Sequence, residues 1–151
     1  MSMTAAQLLV LKNEITTDPK AKGYATFMAS SPGTVVDMLN ALTETMVKSI
    51  RSTTALAWAA AGPYSAIVDA SNNIAHACRA SCLVIRDTLQ SGVDIHLERS
   101  DVRTMLDAWV TTNIITAAQR DDLLARATVP ASRMEVLGLP MATEQDVTGA
   151  R

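Results

Sequence analysis

The sequence has few aromatic residues, cysteines, glycines and prolines. Aromatic residues form 3% of the 151 positions, and glycine and proline together number 11. Because sheets are enriched in aromatic and β-branched residues, this scarcity, together with 24 alanines, argues against an all-β fold and favours helices. The two cysteines, Cys78 and Cys82, are too few for a disulfide framework.

Neither sign of charge dominates, and long apolar runs are missing. The formal net charge of -2 provides no broad basic field, so nucleic acid is not expected as the main partner. The longest uncharged stretch, 52–68, is interrupted by Gly62 and Pro63, whereas a membrane-spanning helix needs about 20 apolar residues. The first residues show no basic segment followed by an apolar one, so we expect synthesis in the cytoplasm and no membrane partner.

Capping signals and helical periodicity predict an all-α single domain, a helical bundle of about six helices. Thr4, Thr116 and Ser132 are each followed three residues later by Gln or Glu, the spacing of a capping box at a helix start. Residues 43–51 carry only a weak extended pattern with no evident partner strand. We expect the helical domain to cover 1–139 and a polar C-terminal tail to cover 140–151.

The longest predicted element is one central helix from about Ser65 to Gln90. At 100° per residue, seven side chains of this segment fall within one narrow arc and predict a buried face. They are Ile67, Ser71, Ile74, Cys78, Cys82, Ile85 and Leu89.

The opposite side of this predicted helix is polar but includes one apolar residue. Arg79 and Arg86 belong to that side, and Leu83 lies in the middle of it. A single exposed apolar residue is ordinary, yet it can also mark a contact with another subunit. We therefore take Leu83, Arg79 and Arg86 as the candidate interaction surface.

The residues with catalytic or metal-binding potential are sparse. His76, Cys78 and Cys82 are zinc-ligand types, but a zinc site needs a fourth ligand, and on one helix His76 would point away from both thiols. His96, between Asp94 and Glu98, fits a solvated face better than an acid–base site. Local signatures of acyl transfer, phosphate binding, zinc hydrolysis and dinucleotide binding are missing. We expect no enzyme activity, no cofactor and no metal.

Two segments allow a nucleic-acid alternative. Lys20 and Lys22 beside Tyr24 form a small basic cluster. Residues 116–139 can be drawn as a helix-turn-helix, so a small helical DNA-binding regulator is the alternative function. Its second helix offers only Arg133 for reading bases, and Arg126 precedes it. Ordinary packing of a helical hairpin therefore fits this segment better.

Stretches near both ends of the chain are similar to a known family. They are LKNEITTDPKAKGYA at 11–25, MLDAW at 105–109, ITAAQRDDLL at 115–124 and VPASRMEVLGL at 129–139. Together they resemble a family of small, mostly uncharacterised tailed-bacteriophage proteins associated with virion structural genes. The resemblance covers about a third of the chain and brings no catalytic residue with it.

The resemblance implies a non-enzymatic structural or assembly protein of the virion, as a tail, neck or capsid-associated subunit. Its expected partners are other virion proteins and further copies of the chain in a homo-oligomer, with no small-molecule substrate. Eight methionines and many alanines are compatible with adaptable helix-to-helix interfaces.

Overall fold

Ten helices and two short strands form the part of the chain that the computed structural model describes, residues 3–150. In chain order, the helices are α1 (Ala5–Thr17), α2 (Tyr24–Met28), α3 (Pro32–Asn40), α4 (Ser52–Ala60), α5 (Pro63–Asn72), α6 (Arg79–Ser91), α7 (Ser100–Thr111), α8 (Ala117–Ala127), α9 (Arg133–Val136) and α10 (Glu144–Gly149). The strands β1 (Glu44–Val47) and β2 (Thr128–Ala131) pair with each other. The mainly helical class is confirmed. Across residues 3–150, every helix is too short or too polar to cross a membrane.

The helix starts follow the capping chemistry in the sequence. Thr4, Thr116 and Ser132 each accept a hydrogen bond from the backbone N–H three residues later, and the side-chain oxygen of the Gln or Glu at that position accepts one from the N–H of the capping residue. The expected number of about six helices is too low, because very short elements such as α2 and α9 lack a periodic pattern long enough to detect.

Two compact units replace the expected single domain. The terminal unit comprises the residues up to Met46 and those from Pro130 onward, and the central unit is Val47–Val129. Each has its own apolar core, with Leu11 and Val147 among the residues of the first and Trp109 among those of the second. The division falls within the paired strands β1 and β2, whose pairing has no local signature in the sequence.

The expected single helix over 65–90 is interrupted, which corrects that prediction. Helix α5 ends at Asn72, and α6 begins only at Arg79. In between, the Asn73 side chain accepts a hydrogen bond from the Ala75 N–H at 3.0 Å, and His76 Nδ1 accepts one from the Cys78 N–H at 3.1 Å. Such local bonds offer the backbone an alternative to the helix. Ile74, expected in the buried face, is 86% exposed as a result.

The C-terminal segment, expected as a polar tail, contains helix α10. Thr143 and Asp146 form a fourth capping box at its start. Val147 is fully buried in the core of the terminal unit, and the Asn40 side chain forms two 2.9 Å hydrogen bonds with the backbone of Ala142. Because the segment is mostly polar, its composition gave no indication of these few buried residues.

A carboxylate organises the turn that follows α1 in the terminal unit. Asp18 has φ 41°, in the left-handed region, and its two oxygens accept the N–H groups of Lys22 at 2.7 Å and Gly23 at 2.6 Å. Desolvation opposes the charge, but backbone N–H donors led by that of Gly23 outweigh it and lower the Asp18 pKa from 3.8. The conspicuous Asp-Pro-x3-Gly-Tyr sequence is therefore a turn with a fixed geometry.

We expect Asp18→Asn to destabilise the terminal unit at neutral pH. Asparagine tolerates the left-handed conformation, but its side chain has one acceptor oxygen for two N–H donors. Because the folded-state pKa of Asp18 lies below its unfolded value, its stabilisation is present above the unfolded pKa and is lost as the pH falls through the folded value. Urea unfolding from pH 7 to pH 2 should show the difference from the unchanged protein shrinking with acidity. Asp94→Asn, at an exposed carboxylate, is the control.

Candidate functional site

Helix α6 of the central unit has one face fixed in the core. Cys82 is fully buried and Leu89 is 3% exposed, while Ile85 is half-buried against the same core. Helices α4 and α5 both pack against α6. The part of the predicted buried stripe that lies on α6 is therefore confirmed.

Three side-chain hydrogen bonds fix α6 to its neighbours. The Arg86 guanidinium donates to the Ser71 hydroxyl at 3.2 Å, the Trp109 indole N–H donates to the Ser81 hydroxyl at 2.9 Å, and the Gln90 amide donates to the Tyr64 hydroxyl at 3.0 Å. These bonds reach α5 and α7, so the helix is held on both sides of its buried face. Its remaining face is presented with a defined orientation within the central unit.

We define the α6 outer surface as Arg79, Ala80, Leu83, Val84 and Asp87. Arg79 and Ala80 are exposed, and Val84 is 64% exposed. Leu83 is half-buried, so part of its side chain remains accessible. The Asp87 carboxylate lies at one end, 73% exposed, and it accepts only a long 3.3 Å bond from Arg86. The surface thus has an apolar centre with opposite charges at its two ends.

The three predicted interaction residues do not share one environment. Arg79 and Leu83 belong to the α6 outer surface, and Arg79 makes no ion pair within residues 3–150. Arg86 instead lies at the border with α5, where its bond to Ser71 helps to hold the helix. Asp87, four residues beyond Leu83, was not singled out from the sequence, although its position on the same face was readable there.

The two thiols are buried and are not grouped with other ligand types. Burial raises the pKa of the Cys82 thiol to about 11, which keeps it protonated and unreactive at neutral pH. Cys78 Sγ lies 3.5 Å from the Thr112 hydroxyl. Within residues 3–150, no three His, Cys, Asp or Glu side chains are placed to hold a metal ion. His76 was expected on the long helix, but it lies in the interruption between α5 and α6.

The segment around His96 alternates as an extended chain should. Ile95 and Leu97 are buried, whereas Asp94 and His96 are exposed, and Ile95 pairs with Ile50 in a single antiparallel bridge. His96 Nδ1 lies 2.7 Å from the Glu98 carboxylate. A backbone hydrogen bond and the bond with His96 lower the Glu98 pKa. The pair lies on the surface of the central unit, as the predicted solvated face requires.

A buried ion cluster lies in the terminal unit. The Arg133 guanidinium donates to both oxygens of Glu14 at 2.8 Å and to Glu44 at 3.3 Å. The bonds to Glu14 raise the Arg133 pKa further above its ordinary value. Burial, followed by the charge of Glu14, raises the pKa of Tyr24 to about 12. The cluster has no local signature in the sequence, because Glu14 and Arg133 are 119 positions apart.

This cluster changes the interpretation of residues 116–139. The second helix of the proposed helix-turn-helix, α9, is only four residues long. Arg133, the side chain assigned to base reading, is 8% exposed and bound to Glu14. A guanidinium that is buried and bound to two carboxylates is not presented to a base edge, so the observation argues against base reading by Arg133.

Lys20 and Lys22 line a surface depression of the terminal unit with a volume of about 340 Å³, together with Glu44 and Thr45. The second Glu44 oxygen is buried and accepts no hydrogen bond from the residues described. The carboxylate beside the two lysines offsets their attraction for phosphate.

Comparison with known proteins identified no relative of this chain. The chain matches no family model, no curated protein and no solved structure with which it was compared. The α6 outer surface is therefore assigned as the candidate functional site on its chemistry alone.

Proposed function

We propose that the protein is a non-enzymatic structural subunit of a tailed-bacteriophage virion, belonging to the tail, the neck or the capsid surface. The sequence stretches that resemble virion-associated phage proteins suggest the setting. The observation that carries the proposal is the α6 outer surface, where Leu83 and Val84 form an accessible apolar centre on a rigidly held helix. Apolar surface framed by charge is typical of protein–protein contacts.

Further accessible apolar side chains support a subunit with more than one contact. In the terminal unit, Leu9 is 67% and Met141 is 72% exposed, and in the central unit Ile74 is 86% exposed. Single exposed residues of this kind are ordinary in a monomer. A subunit within a particle, however, covers several parts of its surface at once, so such residues are compatible with assembly.

The buried ionisable side chains have a structural role. Arg133 and Glu14 bind each other, and the Cys82 thiol is kept protonated by burial. In a reactive site, such groups would be accessible to a substrate. Here they are buried and contribute to the packing of each unit. We therefore assign no substrate and no cofactor to the proposed function.

Quantitative mass spectrometry of purified phage particles tests the proposed function. We expect the protein to be present at a constant copy number that matches the symmetry of a tail, neck or capsid structure. A protein found in infected cells but missing from washed, infectious particles would overturn the proposal.

The proposal also predicts an effect for Leu83→Asp on self-association. A charge at the centre of the α6 outer surface should weaken self-association about tenfold or more, because central apolar residues typically contribute over 1 kcal/mol to an interface. Circular dichroism should stay unchanged, because Leu83 is only half-buried and the inner face of α6, with Cys82 and Leu89, is untouched. Sedimentation velocity at matched concentrations measures the change, with Val93→Asp, at a residue 59% exposed outside α6, as the control. Equal association of both variants and the unchanged protein would contradict the assignment of this surface.

A further inference from the structure

The charges of the α6 outer surface are arranged symmetrically about Leu83. Arg79 precedes Leu83 by four residues, and Asp87 follows it by four residues. Four residues correspond to slightly more than one helical turn, so the three side chains form one ridge along the helix. The two charges are about 12 Å apart along the axis, with the apolar residue midway between them.

We infer that α6 pairs with α6 of a second copy of this chain in antiparallel orientation, with Leu83 facing Leu83 and with Arg79 of each copy facing Asp87 of the other. The inference names the partner and the pairing for the surface on which the proposed function relies. A two-fold axis through Leu83 exchanges the positions of residues 79 and 87, so the same pattern supplies both halves of the interface.

Charge complementarity selects this orientation over the parallel one. In the antiparallel pair, both ends bring a guanidinium to a carboxylate. In a parallel pair, Arg79 would face Arg79 and Asp87 would face Asp87, and like charges across an interface are unfavourable. Arg79 forms no ion pair in the described chain, and Asp87 has only its long bond to Arg86, so both groups are available.

The neighbouring side chains allow a close approach of the two helices. Ala80 and Val84 flank the ridge on one side and are both exposed. A small residue beside a branched apolar one leaves room for the opposite Leu83 to pack between ridges. The 13-residue helix is about 20 Å long, so one such contact is smaller than a standard protein interface. The pairing is therefore reversible in free protein and is strengthened where several contacts act together.

Charge reversal tests the pairing. We expect Arg79→Asp and Asp87→Arg each to weaken self-association about tenfold, because each variant places like charges at both ends of the interface. An equimolar mixture of the two variants should restore it, since every like-charge contact becomes opposite in the mixed pair. Native mass spectrometry resolves the mixed dimer because the two variants differ in mass. The double variant Arg79→Asp/Asp87→Arg should associate as the unchanged protein does.

Two controls separate the pairing from loss of folding and from general charge effects. Circular dichroism should be unchanged in every variant, since both residues are exposed. Arg51→Asp and Asp94→Arg, at exposed positions of the central unit outside α6, should leave association as it was.

Two outcomes would overturn the antiparallel pair. Tighter association of the double variant Arg79→Asp/Asp87→Arg with the unchanged chain than with itself would indicate parallel helices, because only a parallel pair then sets opposite charges against each other at both ends. Association equal to that of the unchanged protein in both single variants would remove α6 from the interface. Neither outcome bears on whether the protein is found in particles, so the pairing and the proposed function are tested separately.

Discussion

Replacing Arg133 with alanine is expected to lower the free energy of unfolding of the terminal unit by about 3–5 kcal/mol, because a buried partner is then left with an uncompensated charge. The Glu14 side chain is only 3% exposed, and the guanidinium supplies both of its ion-pair hydrogen bonds. Chemical denaturation with far-ultraviolet circular dichroism measures the effect. The matched control is Arg126→Ala, which breaks the exposed 3.0 Å pair with Asp122 and should cost about 0.5 kcal/mol or less.

A second substitution separates the charge effect from the loss of side-chain volume. Arg133→Met keeps most of the apolar stem, and Glu14→Leu removes the stranded carboxylate. We expect the pair Arg133→Met/Glu14→Leu to be more stable than Arg133→Met alone, because well-packed apolar residues replace a buried ion pair at little cost. If Arg133→Ala unfolded no more easily than Arg126→Ala, the buried ion pair would have no structural role.

The local features of this fold were predictable because their causes lie within a few residues. Thr4 and Thr116 define the starts of α1 and α8 through contacts three positions away. The inner face of α6 followed from its 3.6-residue period, which buries Cys82 and Leu89. Such signals need no knowledge of the remaining chain.

The features that could not be predicted have two causes. Some depend on contacts between residues far apart in the sequence, and one depends on competition between helical and non-helical backbone conformations of similar free energy. Nothing near Glu14 indicates that it meets Arg133, and nothing near β1 indicates β2 as its partner. The interruption after α5 arises because the side chains of Asn73 and His76 each accept a hydrogen bond from the backbone N–H two residues later, whereas the apolar period continues through Ile74. For the site, Leu83 and Arg79 could be read from the helical pattern. The α5 bond of Arg86 could not, because it requires the α5–α6 arrangement.

Truncating Trp109 is expected to have the largest effect in the central unit. This side chain is 1% exposed in the core, and its indole N–H bonds the Ser81 hydroxyl on α6. Trp109→Ala removes this volume and should lower the free energy of unfolding by about 3–5 kcal/mol. Because Trp109→Ala removes both the packing and the hydrogen bond that hold α6 in place, self-association should fall together with stability. Urea unfolding and sedimentation velocity on the same preparation measure both quantities.

Trp109→Phe distinguishes the hydrogen bond from the packing. Phenylalanine keeps a large aromatic ring but has no N–H, while Ser81 retains its 2.9 Å bond to the Cys78 carbonyl. We expect a smaller loss of about 1–2 kcal/mol, with association largely kept. Equal losses for the alanine and phenylalanine variants would assign the whole effect to the hydrogen bond and would contradict a packing role.

We propose that this chain acts through contact with copies of itself. The most direct measurement is sedimentation equilibrium of the recombinant full chain over a wide concentration series. We expect the weight-average mass to rise with concentration from that of one chain toward that of two or more. A mass that stays at one chain up to the highest concentration, in a sample with full helicity by circular dichroism, would contradict the claim.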